Sequence, residues 1–186
     1  MIYNGVINNS MLHGAIETMK LDPTPKNHTL VLEEVLKAKF LCPVVLSKAP
    51  LMDKNGEPYF AEDCDVQYQM VQNSKGKPFL LAFTDQEQLD KWKERRTAVT
   101  EVYEVVMEFS EYINLMLRPL PEGGYGPAEG IVIDPFGANL VMDRDMVANL
   151  VIRRMQMAER EEQIRNARNA TAAGEPSQEE AGSEGA

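Results

Sequence analysis

The sequence holds few of the residues on which enzymes and metalloproteins most often rely. Of its 186 residues, two are histidine and two are cysteine. His13 and His28 stand in no His-Glu-x-x-His or comparable spacing, which favours surface or capping roles over metal ligation or acid–base catalysis. No Gly-x-Ser-x-Gly sequence is present either, and this argues against a serine hydrolase of that type. The sequence therefore predicts no catalytic residue, no bound metal and no cofactor.

Cysteine usage and the N-terminal sequence point to a reducing compartment. The first twenty residues lack a basic segment followed by an apolar segment and a small-residue cleavage site, so they do not read as a signal peptide. Cys42 and Cys64 are assigned to predicted strands. A disulfide between them would require these strands to be neighbours. Two cysteines in a chain that is not secreted are more often plain thiols. We expect a cytoplasmic protein with free thiols.

Long apolar runs and excess positive charge are also missing. The longest apolar runs, residues 40–46 and 79–83, are far shorter than the roughly 20 residues that span a bilayer. Nineteen basic residues stand against 29 acidic ones, a net charge of −10, of which the four glutamates of residues 171–186 supply −4 and the rest of the chain −6. Binding along a phosphate backbone needs clustered Lys and Arg. The sequence predicts neither a membrane nor a nucleic-acid partner.

Hydrophobic periodicity predicts a mixed chain of helices and strands. Apolar residues at three- and four-residue steps predict helices at 8–20, 27–38, 102–116 and 144–166. Continuous or alternating apolar patterns predict strands at 40–46, 66–70, 79–83, 98–101, 130–134 and 139–142. The expected fold is α/β (α+β), a single mixed β-sheet with an opening hairpin and with helices packed on it.

The same patterns divide the chain into four segments. Residues 1–26 form a helical extension, 27–152 the α/β domain, and 153–169 a charged helical extension. Residues 170–186 turn to Ala, Gly, Glu and Ser, a composition that buries too little apolar surface to order a chain. We expect this acidic tail to be disordered.

A candidate ligand or cation site lies where two predicted strands end. Thr84 follows the strand at 79–83, and Asp134, Phe136, Gly137 and Asn139 follow the strand at 130–134. Ligands commonly bind beyond the carboxyl ends of strands in such sheets. The alternative is purely structural. Thr84 would then form a capping box with Glu87 at the start of a helix, and Asp134 would belong to a Pro-Phe-Gly turn.

A candidate partner-binding surface lies on the last predicted helix. Methionine lines adaptable binding surfaces, and this helix carries Met146, Leu150, Met155 and Met157. The alternative is that these side chains pack in the core, as apolar residues at helical spacing usually do. Arginine and glutamate alternate along the same helix, which predicts a solvated surface with internal ion pairs.

Two stretches resemble a known family. "PFLLAFTDQEQLDKW" followed by "GIVIDPFGANLVMDRDMVANL" is similar to the SseB N-terminal domain family over residues 27–150. The likeness consists of a helix leading into an apolar strand and hairpin, an aromatic-Thr-acidic step opening a helix with a Trp, and a strand ending in Asn-Pro. The last feature reads Asp134-Pro135 here. The resemblance implies an α/β fold and a bacterial cytoplasmic protein of poorly defined role, and it brings no catalytic residue.

Taken together, these observations favour a non-enzymatic protein-interaction module whose partner is an unknown protein or a second copy of the chain. The alternative is a small-ligand or cation-binding domain at the Thr84, Asp134 and Asn139 cleft. An enzyme ranks third, because no catalytic constellation is present.

Overall fold

The computed structural model describes residues 6–121 and 123–173, with side chains up to Asn166. The helices in this part are α1 Ser10–Leu21, α2 Pro25–Val35, α3 Gln86–Lys93, α4 Phe109–Leu117 and α5 Arg144–Ala173. The strands are β1 Lys39–Leu46, β2 Leu51–Met52, β3 Pro58–Tyr59, β4 Val66–Tyr68, β5 Met70–Gln72, β6 Pro78–Ala82, β7 Tyr103–Glu108, β8 Gly130–Ile133 and β9 Leu140–Asp143. Helix α5 runs past its expected end, and the rest of the expected disordered tail, 174–186, lies outside the described residues.

The mixed α/β class is confirmed, but the strands form three sheets where one was predicted. Their orders are β4-β1-β7, β2-β3 and β5-β6-β8-β9. The division arises at Gln69, which interrupts the strand predicted at 66–70. Its N–H donates to Pro43 in β1 (3.0 Å) and its carbonyl accepts from Leu81 in β6 (3.3 Å), so the chain leaves one sheet and enters the other. Leu41 and Phe83 exchange two backbone hydrogen bonds that link the two larger sheets.

The centre of the four-stranded sheet is buried on both faces. β6 and β8 run parallel, with Leu80 opposite Ile131 and Ala82 opposite Ile133, so both strands end at the same edge. Helix α3 packs Leu89 and Trp92 into the hydrophobic cluster of this sheet. Continuous apolar strands of this kind are typical of a sheet covered by helices.

One predicted helix is half strand. The apolar spacing from residue 102 to 116 predicted a continuous helix, whereas the structure has β7 followed directly by α4. β-Branched valines favour strands, and in β7 the buried residues Val105 and Met107 alternate with more exposed neighbours. Glu108 and Glu111 then form a capping box that starts α4. The apolar residues of this segment therefore fit both the helical period of 3.6 and the strand period of two, and the sequence pattern alone did not distinguish them.

Internal contacts divide the chain into two units, residues 1–148 and 149–186. The first contains all the strands named above. Helix α5 begins in it, where Asp143 caps the helix by accepting from the N–H of Met146 (2.8 Å). The described part of the second unit is the continuation of α5 from residue 149 to 173.

Candidate functional site

Thr84 and Asp134 meet at the shared edge of β6 and β8. The N–H of Asp134 donates to Ala82 (3.0 Å), which continues the parallel ladder by one step. The carboxylate then receives two hydrogen bonds from Thr84, from its N–H (2.9 Å) and from its hydroxyl (2.5 Å). Thr84 is 0% exposed and Asp134 is 2% exposed. The two strand ends thus converge as the sequence indicated, but both side chains are buried.

The turn after β8 is closed by Asp134 itself. Its φ is +47°, in the left-handed region that Asp tolerates better than most residues. Its carbonyl accepts from the N–H groups of Gly137 and Asn139, both at 2.8 Å. Asn139, with φ +48°, contributes through its backbone. The turn is folded tightly on the end of the strand.

Asn9 is a buried neighbour of this pair that sequence reasoning missed. Its side-chain amide donates to the carbonyl of Lys39 and to the carbonyl of Thr84, each at 2.7 Å. Among the described residues, the buried polar side chains are those of Asn9, Thr84 and Asp134, and we call them the buried polar cluster. They join the start of α1, the start of β1 and the ends of β6 and β8. An Asn before a helix usually indicates a helix cap. Nothing in the sequence around Asn9 indicates that its side chain binds carbonyl groups far along the chain.

Burial sets the electrostatics of the cluster. It raises the pKa of Asp134 because removal from water disfavours the carboxylate. The hydrogen bonds from Thr84 oppose that shift, the nearby Asp85 adds to it, and His13 lowers it. His13 lies 3.3 Å from Asp85, and both side chains are partly exposed. The Asp134 carboxylate is thus occupied by Thr84 and shielded from solvent.

The predicted capping box at Thr84 is wrong. Asp85 is the N-cap of α3, in an extended conformation, and its carboxylate accepts from the N–H of Gln88 (2.8 Å). Glu87 pairs instead with Lys91 at 2.7 Å. The hydroxyl of Thr84 is committed to Asp134, so the next residue takes the cap.

Phe136 and Gly137 face α3 and its C-terminal flank. The guanidinium of Arg95 lies 4.3 Å from the centre of the Phe136 ring, a cation–π contact, while 45% of Phe136 stays exposed. A Cβ added to Gly137 would come 2.3 Å from the side-chain oxygen of Gln88. The five predicted ligand residues therefore do not form one open site. Thr84 and Asp134 are a buried pair, Asn139 contributes its backbone N–H, and Phe136 and Gly137 lie against α3 and the residues that follow it.

The predicted partner-binding residues are mostly in solvent. Met155 is 60% exposed and Met157 57%, Leu150 is half-buried, and Met146, which belongs to the first unit, is exposed. Ile164, at 54%, extends the exposed apolar surface of α5. Among the described side chains from Asn149 to Asn166, none takes part in an ion pair, so the predicted internal pairs are not formed among these residues.

An open cleft lies elsewhere on the first unit. A cleft of about 580 Å³ beside the β2–β3 hairpin is lined by Asp53, Glu57, Pro58, Tyr59 and Phe60, and by none of the predicted site residues. Asp53 there accepts from the N–H groups of Asn55 and Glu57, which closes a turn. In the described part of the chain, no three His, Cys, Asp or Glu side chains come together as a metal site. Nor does any described helix have the length and apolarity to cross a bilayer.

Comparison with known proteins supplies the family. Residues 12–149 match the model of the SseB protein N-terminal domain. The chain belongs to the SseB N-terminal domain family. No curated protein and no solved structure matches it. The SseB match includes Thr84 and Asp134 but ends before Leu150, so the exposed apolar residues of the second unit lie outside it.

Proposed function

We propose that this SseB-family chain is a non-enzymatic protein-interaction module and that α5 carries its binding surface. The observation that supports this most is the exposure of large apolar side chains along one solvated helix. Ile152, Met155, Met157 and Ile164 are each more than half exposed. Met157 and Ile164 lie on one side of the helix and Ile152 and Met155 on the other, and exposed apolar patches commonly mark interaction sites. Methionine side chains adapt to partners of varied shape.

The contacts of Asp134 favour this proposal over a ligand site or an active site. A carboxylate that binds a cation or transfers a proton needs a free oxygen within reach of the ligand. Both oxygens of Asp134 accept from Thr84, and the residue is buried. Its raised pKa has a structural cause, burial, and calls for no catalytic one.

We place the protein in the bacterial cytoplasm. Cys42 is a buried free thiol and Cys64 a half-buried free thiol. Burial raises the pKa of Cys42 to about 12, so this thiol stays protonated and unreactive at neutral pH. Such thiols suit a reducing compartment.

Site-specific photo-cross-linking tests the proposal. A photoreactive residue replaces Met157 in one version of the full chain and Val99, a fully exposed apolar residue of the first unit, in the control. On irradiation in cells, we expect discrete protein adducts from position 157, to another protein or to a second copy, and few from position 99. Absence of adducts at position 157, or the same adducts from both positions, would refute the proposal.

A further inference from the structure

We infer that the open cleft beside the β2–β3 hairpin binds a cationic side chain, arginine or lysine, carried by a basic segment of a partner protein. The cleft belongs to the first unit and shares no residue with the surface proposed on α5. It combines two carboxylates with two aromatic rings, and this combination decides the ligand.

The walls of the cleft are aromatic and acidic. Around a volume of about 580 Å³, Pro58, Tyr59 and Phe60 supply apolar surface, and Asp53 and Glu57 supply the carboxylates. None of these five residues is basic. An ammonium or guanidinium group is attracted to the face of an aromatic ring, and nearby carboxylates add to that attraction. The lining therefore suits a cation at the end of an apolar stem, as arginine and lysine have.

The hairpin turn holds the carboxylate of Asp53 in place. Its Oδ1 accepts from the N–H groups of Glu57 and Asn55, each at 2.8 Å. These bonds, that from Glu57 above all, lower the pKa of Asp53, so the group is ionised at neutral pH. Its Oδ2 has one long contact, 3.3 Å from the side-chain amide of Asn55, and keeps the capacity to accept from a ligand. Asp134, by contrast, is buried with both oxygens bonded to Thr84.

The negative charge of the hairpin is not neutralised locally. Neither Asp53 nor Glu57 forms an ion pair within the described part of the chain. Residues 51–65 contain five acidic residues and one basic residue, Lys54. On a chain of net charge −10, such a region attracts cations and speeds their association.

A metal ion fits this cleft less well than an organic cation. Calcium and magnesium prefer a shell of six or more oxygen ligands. Among the described residues, no three His, Cys, Asp or Glu side chains come together at the hairpin or elsewhere. Aromatic rings add nothing to an oxygen shell, whereas they bind ammonium and guanidinium groups directly.

The apolar surface of the hairpin favours a protein segment over a free small molecule. Leu51 lies opposite Tyr59 and Met52 opposite Pro58, and the side chains of Leu51, Met52 and Tyr59 are exposed. Sites for small molecules enclose most of their ligand, whereas this cleft is open. A segment that inserts one basic side chain and lays its apolar neighbours on the hairpin would cover both surfaces.

A pair of matched peptides tests the charge requirement. One carries a single arginine between two leucines, and the other has citrulline, the neutral isostere, in place of arginine. Each is titrated into the isotope-labelled full chain and followed by the NMR signals of residues 51–60. We expect the arginine peptide to bind with a Kd of about 1 mM and the citrulline peptide to bind at least about fivefold more weakly.

Variants of the lining test the location. Asp53→Asn keeps an acceptor for the turn and Glu57→Gln keeps the side-chain shape, so each removes chiefly a charge and should weaken binding about threefold. Tyr59→Leu removes the ring and should also cost about threefold. Glu62→Gln, at an exposed residue that does not line the cleft, is the matched control and should leave the Kd unchanged.

Three results would overturn the inference. The first is equal binding of the two peptides, and the second is an arginine-peptide affinity that the lining variants do not change. The third is a small diamine, putrescine, binding at the same signals at least as tightly as the peptide, which would exclude a protein segment as the ligand. Cross-linking from position 157 reports on α5 alone, so failure here would leave the proposed interaction function standing.

Discussion

Thr84 donates two hydrogen bonds to Asp134, one from its backbone and one from its hydroxyl, at the buried ends of two adjacent parallel strands. This pair explains why a conspicuous sequence motif is not an open site. A buried carboxylate is costly unless its oxygens have donors, and Thr84 supplies both at once. The pair stabilises the sheet edge, and the interaction surface that we propose lies on α5.

Loss of the Thr84 hydroxyl should destabilise the fold. Thr84→Val keeps the shape of the side chain but leaves one oxygen of Asp134 buried without a donor. We expect the free energy of unfolding to fall by about 1–3 kcal/mol. Urea denaturation measures this, and Thr97→Val, at an exposed threonine, is the matched control. Equal stabilities of the two variants would show that the hydroxyl contributes nothing.

Asp134→Asn should remove a pH dependence of stability. Burial raises the pKa of Asp134 in the folded chain above its ordinary value of 3.8, so the folded state holds the proton longer than the unfolded state. As pH rises from 3.8 to the raised pKa, this group therefore lowers the free energy of unfolding, and its effect is constant above that window.

The measurement is urea denaturation of both proteins at a series of pH values. The stability of the unmodified chain minus that of Asp134→Asn should decrease with rising pH through this window. A difference that increases with pH would mean that the pKa of Asp134 is lowered, contrary to the burial argument.

Asn9 should matter far more than its neighbour. Asn9→Ala removes the donor to two carbonyl groups, those of Lys39 and Thr84, and leaves them short of partners. A loss of about 1–3 kcal/mol is expected. Asn8→Ala alters an exposed side chain that accepts a hydrogen bond from the N–H of Ser10, and should change stability by less than about 0.5 kcal/mol. Thermal unfolding of the two variants distinguishes them, and a similar loss in both would contradict the role of Asn9.

Two glycines should respond in opposite directions to alanine. A Cβ at Gly130, in β8, would lie 2.4 Å from the carbonyl oxygen of Met142 and 2.6 Å from the Phe79 ring. Gly130→Ala should therefore cost at least about 2 kcal/mol. Gly14 lies within α1 with nothing within 4 Å of an added Cβ, so Gly14→Ala should add about 0.5–1 kcal/mol. Urea midpoints that shift in the same direction would contradict these packing arguments.

The sequence predicted those parts of the fold that depend on local pattern. The apolar run at 79–83 and the strand at 130–134 correspond to β6 and β8. The prediction of a continuous helix from 102 to 116 was wrong because the apolar residues of this segment satisfy a helical period while its valines form a strand. Local pattern cannot decide between two periods when the strand's partner, β1, lies some sixty residues away.

The candidate site was predictable only in part. Parallel strand ends brought Thr84 and Asp134 together as the topology implies. The sequence did not predict the third member of the buried polar cluster, Asn9, which donates to the carbonyl of Thr84 from 75 residues earlier in the chain and looks in sequence only like a possible helix cap. The exposure of Met155 and Met157 also needed the structure, since their spacing fits a buried helix equally well.

The most direct test of this account compares Thr84→Val with Met157→Asp in one experiment. Each variant is scored after purification for its melting temperature and, in cells well below that temperature, for photo-cross-linking yield from a probe at Ile164. We expect Thr84→Val to melt several degrees lower, at roughly 2–4 °C per kcal/mol for this chain length, and to keep its adducts. Met157→Asp should keep its melting temperature and lose most adducts. Loss of adducts in Thr84→Val with their retention in Met157→Asp would contradict the account.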